Sequence, residues 1–220
     1  ALAEVSMAVG AGEVVGLIGP NGAGKTTLIE VISGVYPPSA GSIYFRSARI
    51  DGLKPHQVFR KGLARSFQLA EFPASFTLFE FVLFPALARQ APAAARQATR
   101  RLLAELGLAA QADVSVASLN PATQRLAEVA RVLNSGAQML LLDEIMAGLS
   151  DAETAPVMAL LRRVNAQGIT LLVIEHRLEV ISELCHRVVV LNFGQKIAEG
   201  PPQEVMRDRK VVVAYVGEEA

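Results

Sequence analysis

A single cysteine, Cys185, in 220 residues excludes any internal disulfide and fits a reducing compartment. It lies in an apolar stretch, which marks it as a buried structural thiol and not a nucleophile. No excess of charge exists, since Lys+Arg and Asp+Glu both number 21. The basic footprint of a nucleic-acid binder is therefore missing, and no nucleic-acid partner is expected. No run reaches the 18 or so apolar residues of a membrane span. The nearest, residues 76–88, is short and broken by Glu80 and Pro85. If the protein works at a membrane, another chain supplies the spans. No signal-peptide pattern opens the chain, and Ala1 is not an initiator methionine. Internal repeats and low-complexity segments are also lacking.

What is present is a large apolar fraction, 51%, enough for a sizeable core in one large domain or a core with a subdomain. Apolar, β-rich runs recur at 14–18, 139–142, 169–174 and 188–191. "SIYF" and "ARI" read as strands of a hairpin, and "NFGQ" as a turn into "KIAEG". Residues 69–133 carry helical spacing without a strand signal. Ala95, Ala98, Leu102 and Leu106 there form one apolar stripe, closed by Gly107. Strands alternating with helices predict an α/β protein with a largely parallel sheet, and 69–133 reads as an inserted helical subdomain.

"QMLLLDEIMAGLS", Gln138–Ser150, poses a physical question. An apolar run of this kind is a strand buried on both faces, yet it ends in adjacent carboxylates, Asp143 and Glu144. Charges at the end of a core strand need a partner or a metal. "GPNGAGKT", Gly19–Thr26, supplies a candidate, because it matches G-x-x-x-x-G-K-[ST] in full, after a strand and before a helix. Its glycines let backbone N–H groups converge into an anion nest, and the following helix adds roughly half a positive charge. The cofactor-binding set is thus Gly19, Pro20, Asn21, Gly22, Ala23, Gly24, Lys25, Thr26 and Thr27, with ATP and Mg²⁺ as cofactors. Lys25 reaches the β/γ-phosphates, while the Thr26 hydroxyl and Asp143 serve the metal. Glu144 is then free to deprotonate an attacking water. The phosphate loop alone allows kinases, GTPases and motors; the adjacent Glu narrows this toward ATP hydrolysis.

With these residues placed, Gln68 in "ARSFQ", "AGLSD" at 147–151 and His176 ending "ITLLVIEH" fall into a series. The series resembles the ATPase subunits of ABC transporters over essentially the whole chain. "LLLDEIMAGLSDAET", "VIEHRLEVI", "VVVLNFGQKIAEGPPQEV" and "VVAYVGEE" are similar to the branched-chain amino-acid importer ATPases, as is "RSFQLAEFPASFTLFEFVL". The resemblance implies a P-loop NTPase (RecA-like) core with an N-terminal antiparallel β subdomain and an inserted helical subdomain. The core with the β subdomain is expected at 1–68 and 134–220, and the helical subdomain, with the signature region, at 69–133. It implies Gln68 near Mg²⁺ and the attacking water, and His176 on the γ-phosphate. It also implies a head-to-tail dimer with a second ATPase subunit, two membrane-spanning permease subunits and a periplasmic binding protein, at the cytoplasmic face of the inner membrane.

This chain departs from the family pattern in its signature, usually L-S-G-G-Q, which reads "LNPAT", Leu119–Thr123. The signature offers donors at a helix N-terminus to the partner's γ-phosphate. Asn120 and Ala122 would fill that role here, while Pro121 removes one N–H. The family also places an adenine-stacking aromatic on an earlier strand, and no residue here is assigned to it. Phe72, Phe76, Phe79, Phe81 and Phe84 cluster within the helical block. They are read either as core of that block or, in part, as a groove beside Gln68 for a helix of the membrane subunit. Other readings are a non-transport ABC ATPase, a P-loop small-molecule kinase, and a nucleotide sensor that hydrolyses poorly.

Overall fold

A computed structural model describes residues 2–66 and 72–216. Strand β1 (Val14–Ile18) feeds the glycine-rich loop and helix α1 (Lys25–Ile32). A short antiparallel pair follows, β2 (Tyr44–Phe45) and β3 (Ala48–Arg49), then α2 (Pro55–Lys61) and β4 (Leu63–Arg65). Helices α3 (Leu78–Leu83), α4 (Pro92–Glu105) and α5 (Pro121–Asn134) come next. The remainder alternates: β5 (Met139–Asp143), α6 (Asp151–Ala166), β6 (Thr170–Ile174), α7 (Leu178–Leu184), β7 (Arg187–Asn192), β8 (Gln195–Gly200), α8 (Pro202–Val205) and α9 (Arg209–Val216).

The main sheet has the order β4-β5-β6-β1-β7-β8, all parallel except β8, which runs antiparallel to β7. Side chains alternate across a strand, so each apolar run is sorted into two cores. Leu140, Leu142, Leu171, Val173, Val188 and Val190 face one core with α6 and α7, through Val157, Leu161, Ile181 and Leu184. Met139, Leu141, Leu172, Ile174, Val189 and Leu191 face the other, with Leu28 and Ile29 of α1 and Val58 of α2. This three-layer packing explains why the central strands read as unbroken apolar runs.

Both expected hairpins form, the second at the expected "NFGQ" turn and the first at Arg46–Ser47, outside the "PPSAG" turn cluster. Arg46 and Ser47 take positive φ between β2 and β3, as do Phe193 and Gly194 between β7 and β8, the backbone of a tight two-residue turn. Strand β4 was not expected. The stripe on α4 is also shifted: Ala95, Thr99 and Leu103 are the buried positions, with Ala98, Leu102 and Leu106 at its flank. Thr99 tolerates burial because its hydroxyl donates to Ala95 O at 2.8 Å and accepts from Asn134 Nδ2 at 2.8 Å. Of the five clustered phenylalanines, Phe81 is core, Phe72, Phe76 and Phe79 are half-buried, and Phe84 is 65% exposed.

Cys185 is buried where α7 crosses β1, and a Cβ on Gly16 would lie 3.0 Å from its sulfur. Burial pushes its thiol up to about 12. A thiol-modifying reagent at pH 8 is therefore expected to label the folded chain at least about 10³-fold more slowly than the urea-unfolded chain, whose thiol titrates near 8.5. Equal labelling rates would contradict the packing of α7 on β1.

Candidate functional site

In a doubly wound sheet ligands bind beyond the carboxyl ends of the parallel strands. That edge here gathers the loop after β1, Ser66 after β4, Asp143 and Glu144 at the end of β5, and Glu175 and His176 after β6. The register fixes this, pairing Asp143 with Ile174, Leu17 with Ile174, and Arg65 with Leu141.

The loop Gly19–Gly24 curls with positive φ at Gly19, Gly22 and Gly24. Gly19 is obligatory, because an added Cβ would sit 2.1 Å from Leu191 O at the end of β7. Ala23 is buried, and Gly194 N–H donates to its carbonyl at 3.0 Å, so the β7–β8 turn buttresses the loop. Pro20, Asn21 and Gly22 lie at the surface or half-buried. Gly24 N-caps α1 without a side-chain cap, and no acid occupies the first turn. The N–H groups and positive end of that helix thus face an anion unopposed. Tyr215 of α9 lies near this loop: partial burial pushes its hydroxyl up, opposed by the Gly19 backbone.

Lys25 is buried, and its Nζ donates to Gly19 O at 2.7 Å and Pro20 O at 3.0 Å. Desolvation lowers its pKa, opposed by the negative charges of Glu144 and Asp143. A phosphate would give this ammonium the anionic partner that the loop carbonyls replace only in part. Lys25→Ala is expected to weaken ATP binding by about 10–10²-fold, the worth of one or two hydrogen bonds to a charged group. A titration with a fluorescent nucleotide checks this, and unchanged affinity would contradict the phosphate-loop reading.

Asp143 is wholly buried. Its Oδ2 accepts from Arg65 Nη2 at 3.2 Å, and its backbone N–H donates to Ser66 Oγ at 3.0 Å. Its Oδ1 has no hydrogen-bond partner among the described residues. Burial raises its pKa, with Arg65 opposing. An orphaned buried carboxylate oxygen near the Lys25 end of α1 fits a hard divalent cation. No group of three or more His, Cys, Asp and Glu that could hold a metal occurs among the described residues. A metal here would thus take Asp143, the half-buried Thr26 hydroxyl and nucleotide oxygens, the sparse protein ligation usual for Mg²⁺.

Glu144 takes φ 51, a left-handed conformation costly for a side-chain-bearing residue. Its N–H donates to Ile174 O at 3.0 Å, which turns the side chain toward the end of β6. There Glu144 Oε1 lies 2.6 Å from His176 Nε2. A carboxylate bonded to an imidazole at a solvent-accessible edge can accept a proton from water. Lys25, Asp143, Glu144 and His176 are therefore brought to one edge. Gln68 falls outside the described residues.

Asn120 N-caps α5, its Oδ1 accepting Thr123 N–H at 2.9 Å, with Pro121 as first helical residue. Gln124 Nε2 ties this helix end to Val116 O and Ala117 O. None of the hydrogen bonds among the described residues joins Asn120 or Ala122 to the phosphate loop. Sequence reasoning missed Arg65, Ser66 and Tyr215. For Arg65 the signal was a lone cation in an apolar-flanked "LARS" leading to Gln68.

The ABC transporter family profile matches residues 2–147, and the profile for branched-chain amino acid ATP-binding cassette transporters matches 195–220. The high-affinity branched-chain amino acid transport ATP-binding protein LivG of Salmonella typhimurium is 34% identical over 237 residues, covering 99% of this chain and 92% of that protein. Its counterpart BraF of Pseudomonas aeruginosa is 33% identical over 232 residues, covering 97% and 91%. A nucleotide-free ATP-binding cassette from an ABC transporter superposes with a TM-score of 0.90 at 30% identity, covering 99% of this chain and 93% of that one. The ADP conformation of an ABC transporter cassette gives 0.88 at 30%, covering 99% and 92%.

Proposed function

The chain belongs to the ABC transporter family of ATP-binding cassettes, and from that membership we propose that it hydrolyses ATP to drive import of branched-chain amino acids through partner membrane subunits. The observation that carries the catalytic part is the 2.6 Å contact of Glu144 with His176, one residue past Asp143, whose buried Oδ1 has no hydrogen-bond partner among the described residues.

In this reading the phosphate loop Gly19–Thr27 and Lys25 bind and orient the triphosphate. Thr26, Asp143 and Gln68 would hold Mg²⁺, which when bound supplies neutralising charge to the phosphate oxygens. Glu144 takes a proton from the attacking water as its oxygen bonds to the γ-phosphorus and the bond to ADP breaks. His176 orients Glu144 and contacts the γ-phosphate. Residues 69–133 serve as the helical subdomain, supported by the separate apolar cluster of Leu78, Val82, Leu103 and Val116. Asn120 and Ala122 close the nucleotide of a second ATPase subunit, placed head-to-tail.

No helix among the described residues is long and apolar enough to cross a membrane, and in this reading separate permease subunits supply the spans. Phe84, exposed and tilted against Phe76 with ring centroids 6.3 Å apart, offers them an apolar contact. A periplasmic binding protein completes the system, and the chain sits at the cytoplasmic face of the inner membrane. The amino-acid substrate rests on LivG, BraF and the match at 195–220. The test is reconstitution of the chain with its permeases and binding protein in liposomes. ATP-driven uptake of leucine, isoleucine or valine is expected. Uptake of another solute class alone would overturn the substrate, while no stimulation of ATP hydrolysis by the permeases would overturn the transport role.

A further inference from the structure

The loop that carries Glu144 and the strand end that carries His176 are bonded to each other on both flanks of that pair. Glu175 precedes His176, is only 3% exposed, and accepts the Met146 N–H on its Oε1 at 3.0 Å. Arg177 follows His176. Its Nη1 donates to Thr154 Oγ1 at 2.9 Å and lies 3.5 Å from Leu149 O, and its Nη2 pairs with Asp151. Three successive residues thus grip the start, the base and the end of one loop.

We propose that Glu175 and Arg177 are positioning residues that clamp the 144–151 loop to the end of β6, so that Glu144 and His176 act as one preassembled unit. The inference rests on the reading of Glu144 as general base. The pair itself cannot secure its geometry, because the His176 side chain is 42% exposed and water competes for the contact. Glu144 is also held in a left-handed backbone conformation that costs about 1–3 kcal/mol and persists only where the surroundings over-determine it. The internal bonds of the loop are two turn contacts, Ala147 N–H to Glu144 O at 3.1 Å and Leu149 N–H to Met146 O at 3.3 Å. The flanks supply what these lack. A buried carboxylate is expensive unless hydrogen-bonded, and the Met146 N–H offsets part of that cost at Glu175. The planar guanidinium of Arg177 holds a hydroxyl and a carboxylate at once, at the point where the capping box of Ser150 and Glu153 starts α6.

The test is a double-mutant cycle in an ATP-hydrolysing preparation of the full chain. Arg177→Ala is expected to lower kcat by about 10–10²-fold, the effect of misplacing a reacting group by an ångström or so, with nucleotide affinity within about twofold of wild type. In the Glu144→Gln background the same change is expected to alter the residual rate less than about twofold. Thr154→Val, which removes one Arg177 acceptor, serves if Arg177→Ala does not fold, and is expected to lower kcat at least about threefold by the same route. An unchanged kcat in either folded variant overturns the clamp. So does an equal loss in the Glu144→Gln background. If Glu144→Gln alone leaves turnover intact, the base assignment fails separately from the clamp.

Discussion

Replacing Glu144 by Gln is expected to leave nucleotide binding intact and to lower ATP hydrolysis by about 10²–10⁴-fold, the usual worth of a positioned general base. The change is nearly isosteric. The amide oxygen can still face His176 Nε2, and the left-handed backbone, fixed by the Glu144 N–H to Ile174 O bond, has no reason to move. What disappears is the basicity, since an amide takes no proton from water. Binding should hold or tighten slightly, because the field of Glu144 reaches Lys25 and so also bears on a bound phosphate. Phosphate release at saturating ATP and titration with a fluorescent nucleotide measure the two halves. Equal turnover in mutant and wild type would remove Glu144 from the chemistry.

The parts of this site that could be read from the sequence are those with a strong local pattern. The phosphate loop is one contiguous motif. The apolar runs around Asp143 and Ile174 are long enough to mark strands buried on both faces, and their ends locate Glu144 and His176 before any register is known. Strand β4 escaped because Leu63–Arg65 is three residues long, contains no β-branched residue and pairs with β5 alone. Without β4 the parallel pairing of Arg65 with Leu141 was invisible, and with it the ion pair of Arg65 and Asp143. The shift of the α4 stripe has the same root. A pattern of hydrophobic letters passes over Thr99, whose hydroxyl is satisfied by Ala95 O on its own helix and by Asn134 on another. Glu175 and Arg177 carry no local signal in the sequence, because their partners lie before α6, at Met146, or in its first turn, at Asp151 and Thr154.

The signature region yields the second large effect. In a head-to-tail pair with a second ATPase subunit, the site built on the partner's phosphate loop and closed by Leu119–Thr123 of this chain should turn over about 10²–10³-fold more slowly than the site built on Lys25, Asp143 and Glu144. The first turn of α5 has few donors left to offer. Asn120 Oδ1 is engaged by the Thr123 N–H, the Gln124 N–H is bonded to Asn120 O at 3.0 Å, and Pro121 has no N–H at all. The backbone N–H groups of Asn120 and Ala122 and the Asn120 side-chain amide remain to face the partner's γ-phosphate, where a Ser-Gly-Gly sequence would present a hydroxyl and three backbone donors without a methyl group. The triple change Asn120→Ser, Pro121→Gly and Ala122→Gly should therefore raise turnover at that site at least about tenfold. The two sites are separated by Glu→Gln changes made one subunit at a time in the reconstituted complex, reading phosphate release. Glu144→Gln should remove most of the activity and the partner's equivalent change little of it. The reverse pattern would show that the altered signature closes the faster site. No gain from the triple change would show that Asn120 and Ala122 already suffice.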